Sequence, residues 1–259
     1  MLVKVVAVQA RMGEHLTLDE KIHIFKQQPD FICLPEYYLL DQTVTDYARA
    51  ALRFHDYLEY LQQLSTEFGC CLIGGTVVEP DRDRLYNTCH VFDRGMLIGK
   101  YRKQHPVQRE QERGISAGTR HFIFDHQDAR VGLLVCGDVF FPERYTELGG
   151  HQCDLIIIPT TSPFRPDDTP DQRSIRDEQY FVSGARTSGA FVIKTCGVGS
   201  IFDRPLQGRS LIAAPWGIIQ RVETPAEQQK RLLSVTLDLN ELRDFRRKLK
   251  ETPTRRGTA

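Results

Sequence analysis

The chain has 259 residues, 41% of them hydrophobic, and its 34 basic and 34 acidic side chains cancel to a formal net charge of +0. That balance gives no footing for nucleic acid or an anionic membrane surface, and neither is expected as a partner. Length and apolar content suffice for one large core, so a single domain over 1–259 is expected, its last ~20 residues forming a basic helix and tail.

Valines 3, 5, 6 and 8 read as an opening strand. Thr17 with Glu20 forms a capping-box pattern that starts a helix, with Leu18, Ile22 and Phe25 expected to face inward. Phe31-Ile32-Cys33-Leu34 is a short continuous apolar run, the signature of a strand buried on both faces, and it stops at Pro35-Glu36. From Thr45 to Phe68 apolar residues recur at helical spacing (Ala48, Leu52, Leu58, Leu61, Leu64, Phe68), and Gly69 stands where a glycine ends helices. A strand is expected over Cys71 to Glu79. Strands Asn87 to Phe92 and Met96 to Tyr101 flank Asp93-Arg94-Gly95 as an antiparallel hairpin.

A polar segment from Lys103 to Gly118 follows, then strands at Phe122 to Phe124 and Arg130 to Val135, which break at Cys136-Gly137-Asp138. A short helix begins at Pro142, and Leu155 to Ile158 is another buried strand. Beyond a proline-rich loop come a helix over about Ser174 to Ser188 and the strand Phe191 to Cys196. Pro215-Trp216-Gly217 turns between two further strands, Leu232 to Leu239 is the last strand, and a basic helix ends the pattern. Strand–helix units mixed with hairpins and buried central strands predict sheets covered by helices.

The cysteines are scattered and odd in number, and have no C-x-x-C spacing, which points to a reducing, cytoplasmic setting. Cys33, Cys71, Cys89, Cys153 and Cys196 sit in apolar strands and read as small hydrophobes. No signal segment or membrane span is expected. The histidines make no metal-binding pattern, so no metal or cofactor is expected. The basic residues Arg246, Arg247, Lys248, Lys250, Arg255 and Arg256 read as a solvated helix end.

Strand ends deliver Glu36, Lys103 and Cys136, and α/β sheets place their ligand sites at such ends. A thiolate is the nucleophilic form of cysteine, so Cys136 needs a neighbouring base or a positive charge; Glu36 offers the first and Lys103 the second. His105 or His121 would be the partner in a papain-like pair, but such a pair needs an orienting third group. Taken singly, Glu36 could merely cap a strand end, and Lys103 and Glu112 lie in a charged stretch that would ordinarily be a solvated loop.

Together these residues resemble the nitrilase, or carbon-nitrogen hydrolase, family. Leu34-Pro35-Glu36 resembles its first glutamate motif, Tyr101-Arg102-Lys103 with His105-Pro106 its lysine motif, and Cys136-Gly137-Asp138-Val139-Phe140-Phe141-Pro142-Glu143 its nucleophile elbow. Glu112 stands at the spacing of the second glutamate, with Glu110 close enough to be confused with it; Glu112 is preferred. The likeness continues through Leu155 to Pro159, Ala185-Arg186 and Gly208-Arg209-Ser210.

The resemblance implies a four-layer α-β-β-α sandwich that pairs into a homodimer or larger assembly. It also implies a cysteine-dependent hydrolase of a small linear carboxamide, with water as second substrate, Glu36 as base, Glu112 orienting, and Lys103 with the Gly137 N–H holding the oxyanion. An N-carbamoyl amide hydrolase, a nitrilase and an inactive binding module on the same fold stay open as alternatives. Tyr37 and Ser162 are candidate substrate contacts. Relatives often carry a bulky or charged residue after the cysteine, so Gly137 predicts a bare wall there, and Thr187-Ser188-Gly189 departs from the small residue and glutamate that often follow the arginine.

Overall fold

The computed structural model describes residues 1–251. The first half of the chain supplies β1 (Leu2–Gln9), β2 (Phe31–Cys33), β3 (Cys71–Ile73), β4 (Val77–Asp81), β5 (Arg84–Asp93), β6 (Met96–Arg102) and β7 (Ile115–Ser116). The second supplies β8 (Ile123–His126), β9 (Ala129–Leu133), β10 (Leu155–Thr160), β11 (Phe191–Cys196), the ribbon β12 (Gly199–Ile201) and β13 (Arg204–Leu206), β14 (Leu211–Ala214), β15 (Gly217–Arg221) and β16 (Arg231–Asp238). One sheet runs β16-β1-β2-β3-β5-β4, with β6 and β7 also paired to β5. The other runs β15-β14-β11-β10-β9-β8.

Successive side chains on a strand point to opposite faces, and here both faces are apolar. Val5 and Ala7 of β1 pack with Val131 and Leu133 of β9, Leu155 and Ile157 of β10, and Phe191 and Ile193 of β11 in one core between the two sheets. Val6 and Val8 turn the other way, onto the helices α1 (Leu18–Lys26), α2 (Tyr47–Leu52) and α3 (Phe54–Phe68). Ile156, Ile158 and Val192 likewise face Tyr145 and Leu148 of α5 (Pro142–Gly150) and Ala185 of α7 (Ser183–Ser188). These are the four layers α-β-β-α. Replacing a residue such as Leu133 by Ala in the shared core removes apolar burial and leaves a cavity, a cost of about 2–5 kcal/mol.

Several elements differ from the sequence expectation. The capping box of Thr17 and Glu20 starts α1, but Leu18, Ile22 and Phe25 face outward, Leu18 being 72% and Phe25 61% exposed. Ile24 is the buried residue of that helix; periodicity identifies a stripe but not which side of a nine-residue helix is docked. The helix expected from Thr45 to Phe68 breaks at Arg53 into α2 and α3, leaving Leu52 and Ala48 exposed, and Gly69 ends it in the left-handed conformation. The strand expected over Cys71 to Glu79 is interrupted by Gly74-Gly75, where Gly75 has φ +64° and the Pro35 carbonyl leaves no room for a Cβ.

The helix expected from Ser174 to Ser188 starts earlier, as α6 (Pro170–Asp177), and widens into a π turn over Glu178–Val182 before α7. The C-terminal helix α8 (Leu239–Glu251) is less solvated than its charge suggests. Arg246 reaches Asp154 Oδ1 at 3.0 Å and the Gly189 carbonyl at 2.6 Å, and Arg243 reaches Asp154 Oδ2 at 2.7 Å. These bonds tie α8 to the second sheet; Arg255 and Arg256 lie outside the described residues. Among the described residues no helix is long and apolar enough to cross a membrane.

Candidate active site

Three strand ends converge. Glu36 follows β2, Lys103 follows β6 and Cys136 follows β9, and the backbones at Tyr37 (φ +55°) and Cys136 (φ +41°) turn left-handed to aim them. Non-glycine residues rarely adopt that conformation, and it recurs where a side chain must be presented at a sharp turn.

Lys103 lies at the centre of the cluster. Its Nζ donates to Glu36 Oε1 at 2.8 Å and to Glu110 Oε2 at 2.6 Å, with side-chain exposures of 1% for Lys103 and Glu36 and 5% for Glu110. Asn87 on β5 bridges the two carboxylates, its Nδ2 donating to Glu36 Oε1 at 2.8 Å and Glu110 Oε1 at 2.9 Å. It can do so because the Lys103 N–H bonds the Asn87 carbonyl, extending the β5–β6 ladder by one residue. Tyr37 Oη donates to Glu110 Oε1 at 2.7 Å.

The second glutamate is therefore Glu110, and the preference for Glu112 is corrected. In α4 (Gln108–Glu112), residues two apart point to nearly opposite sides. Glu110 turns in and accepts the Val107 N–H at 2.9 Å, whereas Glu112 lies exposed and takes the Gln108 amide. The signal was the three-residue spacing of an N-cap and its returning glutamate, muted because Val107 replaces the usual Ser or Thr.

Cys136 donates its S–H to the Thr161 carbonyl at 3.4 Å, while the Thr161 N–H and Oγ1 donate to Glu36 Oε2. One residue thus links the thiol and the carboxylate. Burial and the negative charges of Glu36 and Glu110 push the Cys136 thiol well above its usual range, and Lys103 offsets this only in part. Lys103 meets the opposite balance. Burial presses its ammonium toward neutrality, but Glu36, Cys136 and Glu110 outweigh burial and hold it charged beyond the ordinary lysine range. Glu110 is kept ionised below the usual glutamate range, Lys103 and the bonds from Tyr37 and Val107 overcoming burial.

Gly137 does not leave a bare wall. A Cβ there would lie 2.8 Å from the His105 carbonyl oxygen and 3.0 Å from Val107 Cγ1, so glycine lets the 105–110 loop close onto the elbow. Asp138 fastens that contact, accepting the Val135 and His105 N–H groups at 2.8 Å each and Tyr101 Oη at 2.9 Å. His105 is held by Asp138 and stacked on Phe141, and His121 pairs with Glu147. Neither lines the cavities into which Cys136 opens. Among the described residues no His/Cys/Asp/Glu cluster is set to hold a metal.

Those cavities form two lobes that meet at Cys136. One, of about 250 Å³, is lined by Tyr37, Tyr47, Lys103 and Glu110. The other, of about 230 Å³, is lined by Ser162, Tyr180, Phe181, Lys194 and Arg209. Tyr37 and Ser162 thus border opposite sides of the sulfur. The sequence reading passed over Lys194, although a lysine inside the apolar strand Phe191–Cys196 was a visible anomaly.

The profile of one family, described as carbon-nitrogen hydrolase, matches residues 6–247. The chain is 29% identical over 207 residues to the omega-amidase NIT2-A of Xenopus laevis, covering 74% of this chain and 70% of that one. In structure it is similar to Nit3 of Saccharomyces cerevisiae, a member of branch 10 of the nitrilase superfamily, with a TM-score of 0.77 at 21% identity over 99% of this chain and 97% of that one. It is also similar to an amidase from Nesterenkonia sp., with a TM-score of 0.75 at 18% identity over 96% and 95% of the two chains. With four layers, a buried Glu-Lys-Glu cluster beside an elbow cysteine, and a family match along nearly its whole length, the chain belongs to the carbon-nitrogen hydrolases.

Proposed function

We propose that this carbon-nitrogen hydrolase splits the C–N bond of a small linear carboxamide, giving a carboxylic acid and ammonia through a thioester on Cys136. The supporting observation is the buried ammonium of Lys103, bonded to Glu36 at 2.8 Å and Glu110 at 2.6 Å, in the lobe that Cys136 shares. The relative whose name is omega-amidase and the neighbour described as an amidase favour an amide over a nitrile.

Because the resting thiol is protonated, attack needs a base at the moment the bond forms. Glu36 takes the Cys136 proton as Sγ bonds the amide carbon, and the carbonyl π electrons move onto oxygen. That oxyanion meets the Lys103 ammonium and the Gly137 N–H; one such donor is typically worth about 10²–10³ in rate. Collapse breaks the C–N bond, Glu36 returns the proton to the departing nitrogen, and ammonia leaves. Glu36 then removes a proton from water, whose oxygen attacks the thioester, and the C–S bond breaks with the proton restored to sulfur. Glu110 keeps Lys103 charged and pointed at the reacting oxygen.

Ammonia release from a panel of linear carboxamides, N-carbamoyl amines and nitriles tests this, with acid-quenched intact mass spectrometry. The expected result is ammonia from amides with an acyl adduct on Cys136. Carbon dioxide released alongside ammonia would assign a carbamoyl substrate instead. Neither adduct nor ammonia from any compound would leave a binding module.

A further inference from the structure

The carboxylate of Glu36 is full before it has taken a proton. Its Oε1 accepts Lys103 Nζ and Asn87 Nδ2 at 2.8 Å each, and its Oε2 accepts the Thr161 N–H at 2.9 Å and the Thr161 hydroxyl at 2.5 Å. A carboxylate has about four acceptor positions, so none is left over. The side chain is 1% exposed, and a polar group left unpaired at that depth is costly. Thr161 also accepts the Cys136 S–H at its carbonyl, 3.4 Å away, so the resting thiol is bonded to Thr161 and not to the base.

When Glu36 becomes an acid, one of its four donors has to turn into an acceptor. An ammonium and a peptide N–H have no lone pair to give. Asn87 would present its Oδ1 only by turning its amide over, which would set that oxygen against the ionised Glu110 Oε1. The Thr161 hydroxyl is the exception, with one O–H and two lone pairs, and it reverses by rotating a hydrogen while every heavy atom stays in place. A structural tie does not call for it. Thr161 follows β10 in one sheet and Glu36 follows β2 in the other, and the Thr161 N–H already joins them. The hydroxyl adds a second donor to the same oxygen, where Thr161 borders both cavities that meet at Cys136.

We infer that Thr161 is a positioning residue for proton transfer: its carbonyl holds the Cys136 S–H at rest, and its hydroxyl turns from donor to acceptor when Glu36 is protonated. In that step the S–H bond breaks and its electron pair forms the C–S bond. The proton makes an O–H bond at Glu36 Oε2, which donates to Thr161 Oγ1, while the threonine's own hydrogen swings toward the cavities. Lys103, Asn87 and the Thr161 N–H keep their bonds throughout, so the cluster holds its geometry as its charge changes. The opposite turn accompanies release of the proton to the departing nitrogen. This rests on Cys136 as nucleophile and Glu36 as its base, and it holds for whichever acyl compound is cleaved.

The test sets Thr161→Val and Thr161→Ala, which lack the hydroxyl and keep both peptide groups, against Thr161→Ser, which retains it. The acylation burst with p-nitrophenyl acetate reads attack by the sulfur, and ammonia release from the amide panel reads complete turnover. Thr161→Val and Thr161→Ala should slow the burst and kcat about 10- to 100-fold, hold KM within about threefold, and enlarge the solvent deuterium isotope effect on the burst. Thr161→Ser should stay within about threefold of the wild-type protein, because the hydroxyl is kept.

A burst as fast as wild type in the Val and Ala variants, a slow burst with an unchanged isotope effect, or a Thr161→Ser protein as slow as Thr161→Ala overturns the assignment. A normal wild-type burst without ammonia from any amide places the fault in the amidase reading, and the Thr161 comparison is then decided on the burst alone. No burst in the wild-type protein removes the nucleophile and the role of Thr161 with it. Should Thr161→Val fail to fold, Thr161→Ala against Thr161→Ser decides, since the two differ by a single oxygen.

Discussion

Two buried ion clusters near Cys136 are built from the same materials in opposite proportion. On one side a single ammonium is clamped by two carboxylates; on the other a single carboxylate is shared by an ammonium and a guanidinium. In the first, the carboxylates' oxygens are largely taken up by Lys103, Asn87, Tyr37, Thr161 and Val107. In the second, donors remain unused. A network whose carboxylate oxygens are nearly all bonded suits proton transfer, which needs fixed geometry.

The largest effects should come from the closed side. Cys136→Ala should reduce turnover to background, and Glu36→Gln should reduce kcat at least ~10³-fold. Because the Glu36 charge helps to raise the Cys136 thiol, the same Glu36→Gln change should speed alkylation of that thiol by iodoacetamide near pH 8. Slower alkylation in the variant would show that Glu36 serves the sulfur more as a base than its charge hinders ionisation of the thiol. Glu110→Gln should cost on the order of 10² in kcat by loosening Lys103, while Glu112→Gln should stay within about twofold. Equal losses in the two would erase the distinction drawn from α4.

Acid pH needs a control before activity profiles of the two lobes are compared. Burial depresses the His90 imidazole to about 4, against the partly compensating charge of Glu79. Its folded value lies below the unfolded one, so its contribution to stability is intact above about pH 6.5 and is lost as pH falls toward 4, up to about 3 kcal/mol. Glu79, despite its burial, is brought down to about 2 by Arg102 and Lys100, so its contribution fades lower, from about 4.5 downward. Urea denaturation between pH 7 and 4 should show the first decline, and His90→Gln should flatten it. Gly137→Ala should cost about 1–3 kcal/mol by pressing on the 105–110 loop, read as a lower melting temperature.

What the sequence disclosed follows from where its signals were local. Glu36, Lys103 and Cys136 each end a strand, and a strand end is marked by an apolar run that stops. Glu110 sits inside a charged stretch, and only the one-turn helix α4 decides which glutamate turns inward. The four layers were expected from family likeness; the alternation of Val5 and Ala7 against Val6 and Val8 supplies their physical basis. The outward face of α1 was misread because amphipathic spacing is silent about docking. Arg209 and Lys194 were passed over as a pair because they come together only when β11 and β14 are side by side, a contact far from either residue's own neighbourhood in the chain.

The pairing of β1 with β16 also governs the order of assembly. β1 is flanked by β2 on one edge and, from Leu2↔Asp238 to Gln9↔Arg231, by β16 on the other. A nascent chain extruded through Ser188 already carries Glu36, Lys103, Glu110 and Cys136, yet β1 still exposes a full row of unsatisfied amides along one edge. That edge waits for a strand made more than two hundred residues later, so a chain truncated before Arg231 carries the Lys103 cluster with an aggregation-prone seam. Synthesis therefore leaves its last safeguard against misassembly to the final strand.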